Sequence, residues 1–504
     1  MRVYVLDASV AVDYPDIIPN RKETSIFRSA SIDLTSAHIV IPELTVIQLS
    51  LLKEKGGYTG QAASEALTRI RNLFSTTVGR DVSVNGQTFS VQKFNSKECI
   101  NAPYVMGEND INGLMIASTL KINESSNSIK KEVTLLTNDN GLASRATMYG
   151  LSTPKYFRDP YTGRRDVVVP EELYNRFWSS ERGIPVEDWR DYMPSESELI
   201  ANEFIVMYAN GINSKLKAAS NWKREQFNYI GRYDVDTQSI VKLKSTAVYS
   251  IESLTTGQAI YAEALMNPAF SAVICTGPAG TGKTYLAAAY AIESCSAGKY
   301  LGGVVVPCSP RRNTLGALPG NLAQKLDPNV QPIKNAIRNL LVETKDEYKT
   351  ELQNLHKYGP NQKKGNGDSN TSLLKRIEDD VEGKFRRTFN EPVPIEFAKG
   401  RDFARCVVIC DEFQDQDFTE TDTLIKRIGK EGKMIITGDV KQVHARDKGL
   451  NEMHNGIVFA KNACMNLDKV AVVDLYADEI VRSSLVREVV KRQEGSASKI
   501  ELVG

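Results

Sequence analysis

The chain has 504 residues, 41% hydrophobic and 25% charged, with 63 Lys+Arg against 62 Asp+Glu for a formal charge of +1. That length allows roughly three domains of about 150 residues, each with a core of its own. The balanced charge excludes a polycationic binder but not a local basic groove. There is no apolar run long enough to span a membrane, and Asp7 interrupts the short apolar start MRVYVLDASV, so neither a membrane partner nor a signal peptide is expected.

Residues 1–150 alternate strand and helix patterns: RVYVLD, then IVIPELTVIQLSLLKEKGG as a strand running into a helix, INGLMIASTL as a helix and EVTLLTND as a strand. Such alternation predicts an α/β domain with a mostly parallel sheet. Asn85-Gly86 inside DVSVNGQTFSV signals a hairpin. Residues 151–250 hold a polar, Pro-bearing stretch and short strands such as EFIVMYA and FNYIGRYD, which read as a connector with small β elements. From 251 to 504 the near-continuous apolar runs AVICTG, GGVVVPC, RCVVICDE, KMIITGD and VAVVDL predict buried parallel strands. The charged, Gly/Asn-rich interval 358–372 reads as a mobile surface loop. Seven cysteines without a CxxC pair predict reduced thiols and a cytoplasmic location, and four His without HxxxH spacing make a zinc site unexpected.

The strongest signal is GPAGTGKT: Gly277, Pro278, Ala279, Gly280, Thr281, Gly282, Lys283 and Thr284, followed by Tyr285. A strand precedes it and an Ala-rich helix follows, as a P-loop requires. Its glycines let backbone N–H groups turn toward phosphates, and the helix N-terminus adds partial positive charge. Lys283 is expected to reach the β- and γ-phosphates of ATP, and the Thr284 hydroxyl to ligate Mg²⁺. In CVVICDEFQD an apolar strand ends on Asp411, placed to hold that Mg²⁺, and Glu412, placed to polarise an attacking water. KMIITGDVKQ repeats the strand-end geometry, so Asp439 and Gln442, beside Thr437, are expected to sense the γ-phosphate. Gln258 is a candidate for the adenine edge and Arg482 for a charge-stabilising finger.

The ordered segments TTGQ, GPAGTGKTYLA, LGALPGNLAQKLDP, IEFAKGR, VVICDEFQD, RIGKEGKMIITGDVKQ and DEIVR resemble the PhoH-like ATPases over about 251–490, most specifically at Leu315, Gly316, Leu318, Pro319 and Gly320. The resemblance implies a single RecA-like domain. Two departures stand out: DEAQN reads DEFQD here, Asp411 to Asp415, and an insertion separates Asn335 from Pro394. A lone RecA-like domain lacks the second face that closes on ATP, which implies a ring, commonly a homo-hexamer, with Arg482 acting in trans.

Four acids sit at strand ends in the first domain: Asp7 after RVYVLD, Glu43 at a helix start, Asp110 opening the INGLMIAST helix and Asp139 closing VTLLTND. Parallel strands put their C-terminal ends on one edge, where these acids can converge. A divalent cation, Mg²⁺ or Mn²⁺, would neutralise such a cluster and activate water for phosphodiester hydrolysis; helix capping is the bland alternative. VLDASV and LLTNDNGLASRA are similar to the opening and closing motifs of PIN-domain nucleases, with Asn138 and Ser144 as polar support. In the family's register Asn112, not Asp110, falls on the third acidic position, leaving Glu108, Asp110 and Asn112 as candidates. A PIN domain ahead of a PhoH-like ATPase is a known arrangement, which YTGR (Tyr161 to Arg164) and NEFIV (Asn202 to Val206) also resemble.

These readings together predict an N-terminal PIN-like parallel-sheet domain (1–150), a small β-containing connector (151–250) and a C-terminal RecA-like P-loop NTPase domain (251–504). The expected function is an ATP-dependent RNA helicase or translocase coupled to a metal-dependent ribonuclease, with Arg311, Arg312, Lys399 and Arg401 tracking single-stranded RNA. RNA is chosen over DNA from the resemblance alone. The alternatives are a PhoH-like ATPase whose PIN domain is inactive, motivated by Asn112, and a phosphate-related signalling ATPase that remodels protein partners. A kinase fits the two strand-end motifs less well.

Overall fold

The computed structural model describes residues 2–13, 17–19, 37–54, 57–75, 81–84, 87–93, 99, 102, 105–106, 110–127, 133–153, 163–192, 199–209, 229–308, 322–358, 369–390, 392–444, 450, 452, 455–464, 466–483, 485–490 and 492. The chain divides into two units, Met1–Pro160 and Tyr161–Gly504.

The first unit is built on strands β1 (Val3–Leu6), β2 (His38–Pro42), β3 (Val82–Val84), β4 (Gln87–Gln92) and β5 (Val133–Leu136), in the order β3-β4-β2-β1-β5. All pairings are parallel except the hairpin β3/β4, in which Val84 faces Gln87. Strand side chains alternate between faces. Tyr4, Leu6, Ile39 and Ile41 therefore join one core with Ala63 and Ile70 of the helix Gly57–Phe74. Val3, Val5, Val40 and Leu135 join the other, with Met115 and Ile116 of the helix Ile111–Asn127. Both faces of the sheet are covered, which is why VYVL is uniformly apolar.

The second unit contains two five-stranded sheets. The smaller comprises β6 (Arg164–Val169), β7 (Gly183–Pro185), β8 (Phe204–Ala209), β9 (Ile230–Asp234) and β10 (Ser239–Lys242), ordered β6-β8-β9-β10-β7; β6/β8 is parallel and the rest antiparallel. A short ribbon, β11 (Ala247–Val248) with β12 (Ile251–Glu252), leads to the helix Thr256–Met266. The larger sheet comprises β13 (Ala272–Thr276), β14 (Gly302–Pro307), β15 (Cys406–Asp411), β16 (Lys433–Gly438) and β17 (Val470–Asp474). Its order is β14-β15-β16-β13-β17, parallel throughout.

Alternation again divides the larger sheet between two cores. Val273, Cys275, Val305, Ile409, Ile435 and Val473 pack under the helices Thr256–Met266 and Lys283–Ser296. Ile274, Val306, Val408, Cys410, Ile436 and Val472 pack toward Phe418–Ile425 and Gly456–Ala463. Each fully buried Val or Ile contributes about 1.5–3 kcal/mol. The P-loop strand β13 lies between β16 and β17, so the C-terminal ends of β13, β15, β16 and β17 share one edge.

The interval 358–372 departs from the expected loop at both ends. Tyr358 closes the helix Asp346–Tyr358 and Ser369 opens the helix Ser369–Thr388; residues 359–368 lie outside the described residues. These helices and Leu322–Thr344 are amphipathic and charge-rich, and their apolar stripes (Ile333, Ile337, Leu373, Ile377, Val381) join the core beside Lys283–Ser296. Lys334 pairs with Asp327 of its own helix and with Glu382 of the next, and Arg376 with Glu347 and Glu351, so opposite charges also meet between neighbouring helices of the insertion.

Candidate functional site

Within the second unit, the site forms where β13 runs into the helix Lys283–Ser296. Gly280 and Gly282 adopt φ of 87° and 95°, a region where a side chain is strained, and so turn the loop's backbone inward. Lys283 is buried and donates to the carbonyls of Gly277 (2.7 Å) and Pro278 (2.9 Å), folding over the loop its phosphate ligands would occupy. Thr281 is fully buried and donates to the Pro278 carbonyl. The Tyr285 hydroxyl bonds Glu343 of the insertion, away from the loop.

Asp411 stands at the end of β15, two strands from the P-loop strand. Its carboxylate accepts from Thr284 Oγ1 at 2.8 Å and from Thr437 Oγ1 at 2.6 Å. Two hydroxyls and a carboxylate thus converge in a donor set that suits a hard cation, and Mg²⁺ characteristically takes only one or two protein oxygens. Thr284 and Asp411 would hold it, and the ion would supply charge neutralisation of the phosphates. Glu412 sits in the left-handed region (φ 55°) and turns its carboxylate to Gln414 Nε2 at 2.7 Å. Burial and the adjacent Asp411 raise its pKa, so this carboxyl is a stronger base than a solvated glutamate.

Gln414 ties the groups at the ends of β15 and β16 together. Its Nε2 also bonds the Gln442 carbonyl (3.2 Å), its Oε1 accepts from Asp439 N (3.2 Å), and Gln442 Nε2 bonds Asp439 (3.0 Å). Asp411, Glu412, Thr437, Asp439 and Gln442 are therefore one connected network, as their strand-end positions suggest. Gln258 differs from the expected free adenine edge: its Oε1 accepts from Leu254 N (2.8 Å) and its Nε2 donates to the Thr281 carbonyl (3.0 Å), so its amide braces the P-loop from behind. Arg482 is exposed and its stem lies against Gly280 of its own chain, where an added Cβ would meet Arg482 Cβ at 3.0 Å; Val481 N bonds the Gly280 carbonyl at 3.0 Å. The finger candidate is thus already beside the loop in cis.

In the first unit, Asp7 is buried at the end of β1 and accepts from Ser9 Oγ (2.5 Å), Ser9 N (3.2 Å) and Thr137 Oγ1 (2.9 Å). Burial raises its pKa against those bonds. Asp139, three residues past the end of the neighbouring β5, is linked to it through Thr137, whose Oγ1 accepts from Asp139 N at 3.1 Å. The Asp139 side chain caps the helix Asn140–Met148 through Gly141 N (2.7 Å) and Leu142 N (3.1 Å). Glu43 opens the helix Glu43–Lys53 after β2 and is exposed. Asp110 is neutralised from within: Arg145 grips it bidentately at 2.8 and 2.7 Å, and Met106 N and Gly113 N also donate to it. Those bonds hold its carboxyl well below the usual range. Among the described residues no three acidic, His or Cys side chains gather as a metal-holding group. The Asp7 carboxylate and the Asp139 backbone N–H thus meet at the Thr137 hydroxyl, whereas Asp110 is paired with Arg145. Asn112 is the second residue of the helix Ile111–Asn127 and is partly exposed. Arg145 was invisible as a partner because 35 residues separate it from Asp110.

Lys399 and Arg401 are exposed, and Arg401 lines a cleft of about 600 Å³ with Phe397, Asp402 and Phe403. Glu108, Arg311, Arg312 and the segment Leu315 to Gly320 lie outside the described residues. All seven cysteines are free, and no helix among the described residues is long and apolar enough to cross a membrane.

Comparison with known proteins follows the same division. Residues 250–494 match the family model described as PhoH-like protein, and residues 4–156 match that of the PIN domain. The chain is 28% identical over 243 residues to the PhoH-like protein of Bacillus subtilis (strain 168), covering 48% of this chain and 63% of that protein. It is likewise 28% identical over 223 residues to the PhoH-like protein of Synechocystis sp. (strain ATCC 27184 / PCC 6803 / Kazusa), covering 44% and 56%. The chain thus spans less than two thirds of the length of these two relatives. With Protein PhoH2 of Bacillus subtilis (strain 168) it shares 22% identity over 472 residues, 91% of this chain and 92% of that protein. Fold and site therefore define a P-loop ATPase-type domain preceded by a domain of the PIN nuclease type. In particular, the PIN match precedes the PhoH-like match along one chain, an order consistent with a PIN–PhoH fusion.

Proposed function

We propose that this protein hydrolyses ATP to move or unwind single-stranded RNA. The observation that carries the hydrolytic reading is the convergence of Thr284 and Thr437 on Asp411, with Glu412 oriented by Gln414 on the same network. Glu412 is the base for the attacking water, Lys283 and the loop N–H groups bind the phosphates, and Asp439 and Gln442 read the γ-phosphate through Gln414. Arg482, beside Gly280, stabilises charge that develops in the transition state. Assembly as a homo-hexameric ring, which would set a second subunit against this face, belongs to the same proposal.

RNA as substrate is supported by the PIN and PhoH-like matches. Arg401 and Lys399, with the half-exposed Phe397, supply the cation and aromatic chemistry that single strands favour. ATP-dependent displacement of a strand from an RNA duplex bearing a single-stranded tail tests the motor; displacement by wild type that is lost in Lys283→Ala supports it, and none by either rejects it.

The acidic site has two readings. The PIN match and the Asp7–Thr137–Asp139 linkage support a metal-dependent ribonuclease. The Arg145–Asp110 ion pair favours a PIN unit that holds RNA or a partner without cleaving it. Cleavage of labelled RNA in Mg²⁺ or Mn²⁺, abolished by Asp7→Asn, selects the first; intact RNA under ATP turnover selects the second.

A further inference from the structure

Gly163 and Arg164 of the YTGR segment and Asn202 of NEFIV meet the larger sheet at its edge. Gly163 N donates to Asp474 Oδ2 at 3.0 Å, and a Cβ on Gly163 would stand 1.8 Å from the Val472 carbonyl oxygen, so only glycine lets β6 approach β17 this closely. At the other end, Asn202 adopts φ 62° and its Nδ2 reaches the carbonyls of Asp468 (2.8 Å) and Val470 (3.0 Å), while Arg232 donates to its Oδ1 (2.9 Å). The smaller sheet is thus fixed at both ends of β17.

Arg164 carries the contact toward the nucleotide site. It is buried, donates to Glu479 Oε1 at 2.9 Å and to Asp166 at 2.7 Å, and lies 4.5 Å from the centre of the Tyr476 ring. Glu479, also buried, accepts from Gly257 N (2.6 Å) with the same oxygen and from Tyr476 N (2.9 Å) with the other. Gly257 precedes Gln258, whose amide holds the Thr281 carbonyl of the P-loop. On the other side, Glu479 closes the turn Ala477–Glu479, after which Val481 N bonds Gly280 and Arg482 lies on the loop. One buried ion pair therefore anchors two of the segments that touch the P-loop from outside its own strand and helix.

We infer that Arg164 is a positioning residue for ATP turnover, and that the smaller sheet is a working part of the nucleotide site, setting through Glu479 where Arg482 and Gln258 stand. The inference rests on the hydrolytic reading of the P-loop proposed above. Carboxylates buried with a fork-shaped partner hold geometry tightly, and misplacement of a charge-stabilising group costs turnover more than binding.

The test is a double-mutant cycle in the full chain between Arg164→Gln and Arg482→Ala, reading kcat for ATP, Kd for a fluorescent ATP analogue, and Tm. Arg164→Gln is expected to lower kcat about 10-fold or more with Kd within about 3-fold, and the double variant to be no slower than the slower single, because Arg164 acts through Arg482. Arg176→Ala, which breaks the exposed Arg176–Asp188 pair off this path, is expected to keep kcat within about 2-fold. Independent, additive losses, or an Arg164→Gln defect confined to Tm, would overturn the inference. Should Arg164→Gln not fold, Arg164→Lys, which retains a charge without the fork, takes its place under the same criteria. Hydrolysis that persists in Lys283→Ala would show instead that the hydrolytic reading itself has failed.

Discussion

Replacing Glu412 with glutamine separates chemistry from architecture at this site. Gln414 Nε2 donates to Glu412 Oε2 at 2.7 Å, and a glutamine carbonyl accepts that bond equally well, so the link to the Gln442 carbonyl and Asp439 N survives. The left-handed φ of 55° is a property of the turn and carries the same strain in both residues. What disappears is the proposed base, a carboxyl whose basicity is raised by burial and by Asp411. Positioned general-base catalysis contributes about 10²–10⁴ in rate, or about 2.7–5.4 kcal/mol of barrier. Single-turnover hydrolysis of labelled ATP should therefore slow by that factor, while Kd for ATP and Tm stay near wild type. Asp411→Asn should behave differently, weakening Mg²⁺-dependent binding as well, because Asp411 accepts from both Thr284 and Thr437. If Glu412→Gln hydrolyses ATP within about 3-fold of wild type, Glu412 is not the base and the strand-end reasoning is refuted.

Gly163→Ala should lower Tm by an amount equivalent to about 1–3 kcal/mol, the range for overpacking a close contact, since its Cβ would fall 1.8 Å from the Val472 carbonyl oxygen; an unchanged melting curve would deny the close approach of β6 to β17. Arg145→Ala should cost about 1.5–3 kcal/mol at neutral pH, the worth of hydrogen bonds to a charged partner. Asp110 has a depressed folded pKa, so this contribution is present above its unfolded value and is lost as pH falls through the folded one. The Tm gap between Arg145→Ala and wild type should therefore narrow in acid, and a gap independent of pH would rule the ion pair out as its source. Chelation of divalent cations should stop ATP hydrolysis and added Mg²⁺ should restore it; turnover in excess EDTA would exclude the role given to Thr284 and Asp411.

The strands were legible because both parallel sheets are covered on two faces, which makes VYVL, AVICT, CVVIC and VAVVD almost wholly apolar. The P-loop and Asp411 were legible because their chemistry is local, fixed by spacing within a few residues of a strand end. Long-range partners were not: Arg145 meets Asp110, Arg164 meets Glu479 and Gln258 meets Thr281 across 35, 315 and 23 residues. Nothing in composition marks one arginine as the mate of one carboxylate. The interval before Ser369 read as loop because Gly, Asn and Lys dominate it, yet the polar start of that helix is held by an apolar stripe at Leu373, Ile377 and Val381. Propensity yielded there to tertiary burial. The smaller sheet was glimpsed only as two strands because β7 and β10 are short and polar-edged.

The central claim, an ATP hydrolase that works on RNA, is tested most directly by steady-state ATP turnover of the purified full chain with and without single-stranded RNA, beside Lys283→Ala. Turnover should rise severalfold with RNA and be abolished by Lys283→Ala under both conditions. A rate that depends on Lys283 but ignores RNA would contradict it and point to remodelling of a protein partner instead.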